Sequence, residues 1–468
     1  MSTSAPGTTD YDLIVIGAGP VGENVADYAT KGGLRTAIVE SELVGGECSY
    51  WACMPSKALL RSGSALRAAR RVPGAREAAS GDLDVEAVFA RRTEFTSDWD
   101  DHGQEEWLDS AGIELIRGRG RLVGTGRVDV EGREYSARAV AIATGSVPVV
   151  PDVPGLADAS PWGTREATSA DHVPPRLVVL GGGVAGTEMA FAYASLGSRV
   201  TVLARHTLLG REEPFVGERI AEALAEEGVD VRLGTSAARV ERGSDGLVSV
   251  ALTDGEEIVA EEILVATGRR PATDGLGLDA VDVDAAPTVD DTMLVSGTDW
   301  LYAVGDVNSR ALLTHQGKYQ ARAAGSVIAA RLNGDPVSDQ PWGAHVATAD
   351  HAAVPRVVFS DPEVAAVGNT EEGARSAGLN VRTVQFDLGA IAGASLHADG
   401  YAGLAKLVID ADRRVVVGAT FLGQDTAELA HAATIAIVGE VPIERLWHAV
   451  PAYPTISEVW LRLLETFG

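Results

Sequence analysis

The sequence predicts an α/β chain in which two strand–turn–helix units of dinucleotide-binding type are followed by a smaller α+β segment. Three observations predict this. Glycine-rich turns recur at Gly17-Ala18-Gly19-Pro20-Val21-Gly22 and Gly181-Gly182-Gly183-Val184-Ala185-Gly186, each between an apolar run and a helical one. An Ala-Thr-Gly triplet closes an apolar run in both AVAIATGSVP (139–148) and EILVATGRRP (262–271). Beyond Asn333, period-two stretches such as PRVVFS and AKLVID alternate with helical ones such as AELAHAATIAIV.

The first unit, YDLIVIGAGPVGENVADYATKGGLRTAIVE, places a buried strand at Leu13–Ile16 before the turn and ends a second strand at Glu40. Gly17 permits the tight turn, Gly19 lets the backbone approach a pyrophosphate, and Gly22 lets helix and strand pack closely. The free N–H groups of the helix start then hold phosphate, and Glu40 is placed to accept from a ribose hydroxyl. The second unit, RLVVLGGGVAGTEMAFAYASLGSRVTVLARH, repeats the plan on Gly181, Gly183 and Gly186. Two such Rossmann-like units in one chain imply two dinucleotides. Their acidic positions differ. Where the first unit has Glu40, the second has Arg205 and His206, with Arg211 six residues beyond Arg205. Guanidinium groups and an imidazole there suit a 2′-phosphate, so NADP(H) is predicted over NAD(H). Further on, WLYAVGDVN predicts a buried strand ending in Gly305-Asp306, the aspartate accepting from a ribityl or ribose hydroxyl. LNGDPVSDQPWG reads as a crossing linker.

The totals set outer bounds. A chain of 468 residues is expected to hold about two to four domains. A formal charge of −27 argues against nucleic acid or an anionic membrane as the main partner. No apolar window reaches the length of a membrane span. The opening MSTSAPGTTD has neither a basic nor an apolar region, so it predicts a frayed tail rather than an export signal, and a cytoplasmic setting.

Both cysteines of the chain, Cys48 and Cys53, lie in GGECSYWACMPSK (45–57). Zinc would need two further ligands, and no suitably spaced histidine or carboxylate offers them. Inert buried thiols and a structural disulfide are the other bland readings, the last disfavoured in a reducing compartment. The sharper reading is a redox-active pair. Residues five apart on one helix have Cα atoms about 8–9 Å apart, and a disulfide needs less than about 7 Å. Cys48 is therefore expected in irregular backbone, with Cys53 in the first turn of a helix whose N-terminus lowers its thiol pKa.

With these elements assembled, the chain resembles the pyridine nucleotide–disulfide oxidoreductases, the group that includes dihydrolipoyl dehydrogenase, glutathione reductase and mercuric reductase. The resemblance runs through GAGPVG, GGECSYWACMPSK, GGGVAGTE, LYAVGD, FSDPEVAAVG and PTISE in family order. It implies FAD on the first site, with Gly46, Gly120, Thr144, Gly145, Asp306 and Thr314 among its binding residues, and Gly268 beside the second nucleotide. It implies Cys53 against the flavin, Cys48 toward the substrate, and an ion pair of Lys57 with Glu188 near flavin N5. The implied domains are 1–165 and 286–340 for FAD, 166–285 for NADP(H), and 341–468 for the interface of a homodimer.

Three departures bear on activity. Glu47 stands where the family usually has threonine, an acid near the FAD phosphates. Val184 replaces the aromatic gate over the nicotinamide pocket. Tyr453-Pro454-Thr455-Ile456-Ser457-Glu458 replaces a His-Pro-Thr-x-x-Glu segment, exchanging the acid–base histidine for a residue with a reference pKa near 10. His448 reads as an ordinary loop histidine. Mercuric reductases share a tyrosine in this neighbourhood but add a second cysteine pair, absent from this sequence. The resulting expectation is an NADPH:disulfide oxidoreductase, with Tyr453 and Glu458 of the partner orienting or protonating the leaving group. The alternatives are reduction of quinone, metal or dye directly at the flavin, a dihydrolipoyl dehydrogenase-like activity, or a non-catalytic redox sensor or bound subunit of a larger dehydrogenase complex.

Overall fold

The computed structural model describes residues 9–468, so most of the opening segment read as a frayed tail lies outside the described residues. The chain forms two compact units, each assembled from three stretches: 1–54, 93–147 and 269–350 make one, and 55–92, 148–268 and 351–468 the other.

The first unit is built on a seven-stranded sheet. Its parallel part runs Glu114–Arg117, Thr36–Glu40, Tyr11–Ile16, Arg133–Ile142, Leu301–Ala303, with Ile14 opposite both Ala37 and Val140. The strands Arg127–Val130 and Gly120–Gly124 extend it in antiparallel register. Tyr11–Ile16 is buried on both faces, as parallel strands covered on each side must be. The helices Pro20–Lys31 and Thr314–Asn333 pack together through small residues: a Cβ on Gly317 would lie 2.6 Å from Val21, and one on Gly325 2.7 Å from the Val25 carbonyl. The core joins the faces of both helices to the sheet. The segment WLYAVGDVN is less extended than expected. Its strand ends at Ala303, and Gly305, at φ +80°, turns the chain into a single 3-10 turn, Gly305–Asn308.

The second unit holds a four-stranded parallel sheet in the order Asp230–Leu233, Arg199–Ala204, Arg176–Leu180, Glu262–Val265. A three-stranded antiparallel sheet, Ala237–Arg242, Val248–Leu252 and Glu257–Ala260, shares a core with it. Its third sheet is the expected antiparallel one, ordered Pro355–Val358, Glu363–Gly368, Val415–Gly423, Leu404–Asp410, Val381–Asp387. The helices Leu429–Val438 and Val459–Phe467 pack on it. Among the described residues no helix is long and apolar enough to cross a membrane.

Candidate active site

In the first unit the glycine turn has the geometry its sequence requires. Gly17 lies at φ +102°, and a Cβ there would meet the Ala143 carbonyl oxygen at 2.6 Å. The triplet Ala143-Thr144-Gly145 is thus packed against the turn, which explains why the two motifs recur together. A Cβ on Gly22 would sit 1.9 Å from the Gly17 carbonyl oxygen, whereas Gly19 faces open space. Gly19 begins the helix Pro20–Lys31 with no side chain capping its first N–H groups, leaving them available to phosphate. Glu40 steadies the turn: its Oε2 accepts from the Ala18 N–H at 2.7 Å and its Oε1 from the Glu42 N–H at 2.8 Å. Gly46 packs on Gly19, and Gly120 lies over Ile16 and Val39 at the ends of the two central strands. Thr144 donates to the Ala272 carbonyl at 2.8 Å, and Gly145, at φ +74°, faces open space.

Asp306 belongs to a polar chain in the same unit. Ser146 Oγ donates to Asp306 Oδ2 at 2.7 Å, and Arg269 Nε donates to Ser146 Oγ at 2.7 Å. Arg269 also stands 3.5 Å from Glu47 Oε2. Burial pushes the Asp306 carboxyl above the usual carboxylate range, opposed by the Ser146 hydrogen bond and the Arg269 charge. The unusual acid Glu47 therefore faces a guanidinium. Sequence reasoning passed over Arg269 and Ser146, although both flank the Ala-Thr-Gly triplets.

Both cysteines are half-buried. Cys48 lies within a short helical turn of its own, Gly46–Tyr50, rather than in irregular backbone. Trp51, at φ −137°, breaks that turn, and Cys53 opens the helix Cys53–Arg70. The two cysteines are on separate helical segments, which is what the spacing required. Cys53 Sγ lies 3.3 Å from the hydroxyl of Thr314, which starts the helix Thr314–Asn333. Glu23, one turn into the helix Pro20–Lys31, was also overlooked. It is 9% exposed, and its Oε1 is buried without a hydrogen-bond partner. Burial holds its carboxyl proton up to a pKa of about 7, against the pull of Lys318 and with the help of Glu40.

In the second unit Lys57 Nζ donates to Glu188 Oε2 at 2.7 Å, and Glu188 Oε1 accepts from the Phe359 N–H at 3.0 Å. The ammonium also lies 5.1 Å from the centre of the Phe359 ring. Glu188 is thus a buried carboxylate with both oxygens engaged, as a buried charge must be. The second glycine turn copies the first: a Cβ on Gly181 would meet the Ala266 carbonyl oxygen at 2.3 Å, one on Gly186 the Gly181 carbonyl oxygen at 2.1 Å, and Gly183 and Gly268 face open space. The helix Val184–Ser195 again starts without a side-chain cap, and Val184 is exposed. Arg205, His206 and Arg211 are all exposed just beyond the strand Arg199–Ala204. Tyr453 is 76% exposed, whereas Glu458 is buried and accepts from Arg462 Nη2 at 2.6 Å. His448 is exposed. Among the described residues no cluster of His, Cys, Asp or Glu is placed to hold a metal.

Residues 11–326 match the family described as pyridine nucleotide-disulphide oxidoreductase, and residues 354–463 match its dimerisation domain. A dihydrolipoyl dehydrogenase from Thermus scotoductus is 35% identical over 97% of this chain and 97% of its own. A mercuric reductase from Lysinibacillus sphaericus is 30% identical over 96% of this chain and 81% of its own. The HOCl-induced flavoprotein disulfide reductase RclA from Escherichia coli superposes with a TM-score of 0.82 at 26% identity, covering 98% of this chain and all of that one.

Proposed function

This chain belongs to the pyridine nucleotide-disulphide oxidoreductase family, and from that premise we propose that it oxidises NADPH and reduces a small disulfide through Cys48 and Cys53. It is a flavoprotein oxidoreductase of the disulfide-reductase class, and members of the family use FAD and a nicotinamide nucleotide. The observation that carries the disulfide reading is the placement of the chain's only two cysteines on separate helical segments that follow the strand Thr36–Glu40 of the first glycine-turn unit. The residues present fit FAD: Gly17 and Gly22 hold the tight turn, Gly19 leaves the backbone approach open, Glu40 is oriented by Ala18 and Glu42, and Asp306 by Ser146. Bound flavin would supply a two-electron relay between the nicotinamide and the sulfurs.

The chain's own residues would then act as follows. Cys48 thiolate attacks one sulfur of the acceptor disulfide and expels the other as a thiol. Cys53 thiolate attacks Cys48, releasing the second thiol and restoring the protein disulfide. Thr314, 3.3 Å from Cys53 Sγ, can donate to that thiolate. Arg205, His206 and Arg211 support NADP(H) at the second site, since no carboxylate stands at that strand end to favour an unphosphorylated ribose. The dimerisation domain supports a homodimer in which Tyr453 and Glu458 complete the partner's site.

Anaerobic titration with NADPH tests the reading. One equivalent should produce a long-wavelength band from Cys53 thiolate beside oxidised flavin. A flavin that simply bleaches, with both thiols still blocked to alkylation, counts against it. Tyr453 in place of histidine favours a second reading, in which quinones or dyes are reduced at the flavin. Cys48→Ser separates the two: full retention of NADPH-dependent quinone reduction alongside absent disulfide reduction assigns the two reactions to different atoms.

A further inference from the structure

The basic cluster that would receive the 2′-phosphate stands on the connection 205–213, between the strand Arg199–Ala204 and the helix Pro214–Glu226. Its three basic side chains are exposed, so the connection itself must fix where they point. It is held at both ends. Near its start, Leu208 and Leu209 are buried, and the Leu209 N–H donates to the Gly182 carbonyl at 2.8 Å, tying the connection to the nucleotide turn. At its far end, two consecutive acids reach into the C-terminal segment. Glu212 accepts from Arg356 Nε at 2.8 Å and Nη2 at 3.0 Å, a two-armed contact with the strand Pro355–Val358. Glu213, 2% exposed, accepts from Lys406 Nζ at 2.8 Å and from the Glu371 N–H at 2.7 Å. Lys406, itself 5% exposed on the strand Leu404–Asp410, also donates to Glu371 Oε2 at 2.8 Å.

Buried ion pairs contribute little net stability, because desolvation offsets most of the attraction, but they fix geometry closely. Here the geometry they fix is that of Glu212 and Glu213, the residues directly following Arg211. We infer that Arg356 and Lys406 are positioning residues for nucleotide choice: through Glu212 and Glu213 they hold Arg205, His206 and Arg211 where a 2′-phosphate is received. This rests on the NADP(H) reading above. It gives the C-terminal segment a part in selecting the nucleotide.

The test is stopped-flow reduction of the bound flavin, which needs no electron acceptor, with NADPH and NADH in turn. Arg356→Met is the first variant. Lys406→Met combined with Glu213→Gln is the second, chosen so that no uncompensated charge remains at the Lys406–Glu213 contact. In each, the apparent Kd for NADPH should rise about tenfold, the equivalent of one charge-assisted hydrogen bond. The Kd for NADH and the limiting reduction rates should stay within about twofold. Arg356→Lys, which keeps the charge, should recover most of the loss. Equal weakening of both nucleotides, or an unchanged preference in flavin-replete variants, overturns the inference alone. A wild-type enzyme indifferent to the 2′-phosphate overturns the cofactor reading and the inference with it.

Discussion

Glu23 shows how far a single residue can depart from its ordinary chemistry in this chain. Its carboxyl is buried on the helix Pro20–Lys31, one oxygen is unpaired, and the nearby charges, Lys318 and Glu40, pull in opposite directions. Burial wins and raises the pKa from 4.5 to about 7. Between those values the folded chain keeps a proton that the unfolded chain has lost, so stability falls as pH rises from about 4.5 to 7. The cost of ionising Glu23 is fully present above that range, at about 3 kcal/mol by linkage. Glu23→Gln removes the titration. The variant should lie within about 1 kcal/mol of wild type in urea unfolding at pH 5 and exceed it at pH 8, by up to about 3 kcal/mol. Parallel stability profiles from pH 5 to pH 8 would show that the carboxyl titrates normally.

The two glycine turns make a matched pair of elements whose roles can be separated. In each, a methyl group on the third glycine would press on the carbonyl of the first, at 1.9 Å for Gly22 and 2.1 Å for Gly186. Neither contact can be relieved by a side-chain rotation, because the obstructing atom is backbone. Gly22→Ala should therefore yield protein depleted in flavin, read as a lowered ratio of absorbance at 450 nm to that at 280 nm. Gly186→Ala should keep its flavin and lose reduction by NADPH at least about tenfold. Flavin loss from Gly186→Ala and not from Gly22→Ala would reverse the assignment of the two sites. These turns were legible in the sequence because their requirement is local: a tight turn and a close approach admit only glycine. The antiparallel C-terminal sheet was legible for the same reason, from its period-two stretches. The contacts that cross the sequence were not. Glu212 and Arg356 are 144 residues apart, and Glu213 and Lys406 are 193 apart. No periodicity joins such partners, and an isolated acid or lysine reads as surface until the fold buries it. Lys57 with Glu188, equally distant in kind, was foreseen only through the family resemblance. The helical turn around Cys48 was missed because five residues are too few to show a helical period.

At the scale of the whole molecule, a site completed by a second copy has a consequence that no single-chain arrangement shares. Tyr453 is 76% exposed near the end of a segment matched to the family's dimerisation domain, and Val450, three residues earlier, is more exposed still. Large exposed apolar side chains so placed are what a symmetric interface would cover. Suppose Cys48 of one subunit works with Tyr453 of the other. A dimer of Cys48→Ser and Tyr453→Ala subunits then contains one doubly damaged site and one intact site, because each undamaged group faces the other. Both parent homodimers should reduce disulfides at least about tenfold more slowly than wild type. Mixed dimers, isolated through different affinity tags on the two subunits, should recover about half of wild-type turnover. If each site is instead built within one chain, both sites of the mixed dimer are damaged and its rate stays near the parents' average. A Tyr453→Ala homodimer as fast as wild type would remove the tyrosine from the chemistry altogether. The cysteines would then pass their electrons on with water as the proton source, to an acceptor whose leaving thiol needs little protonation.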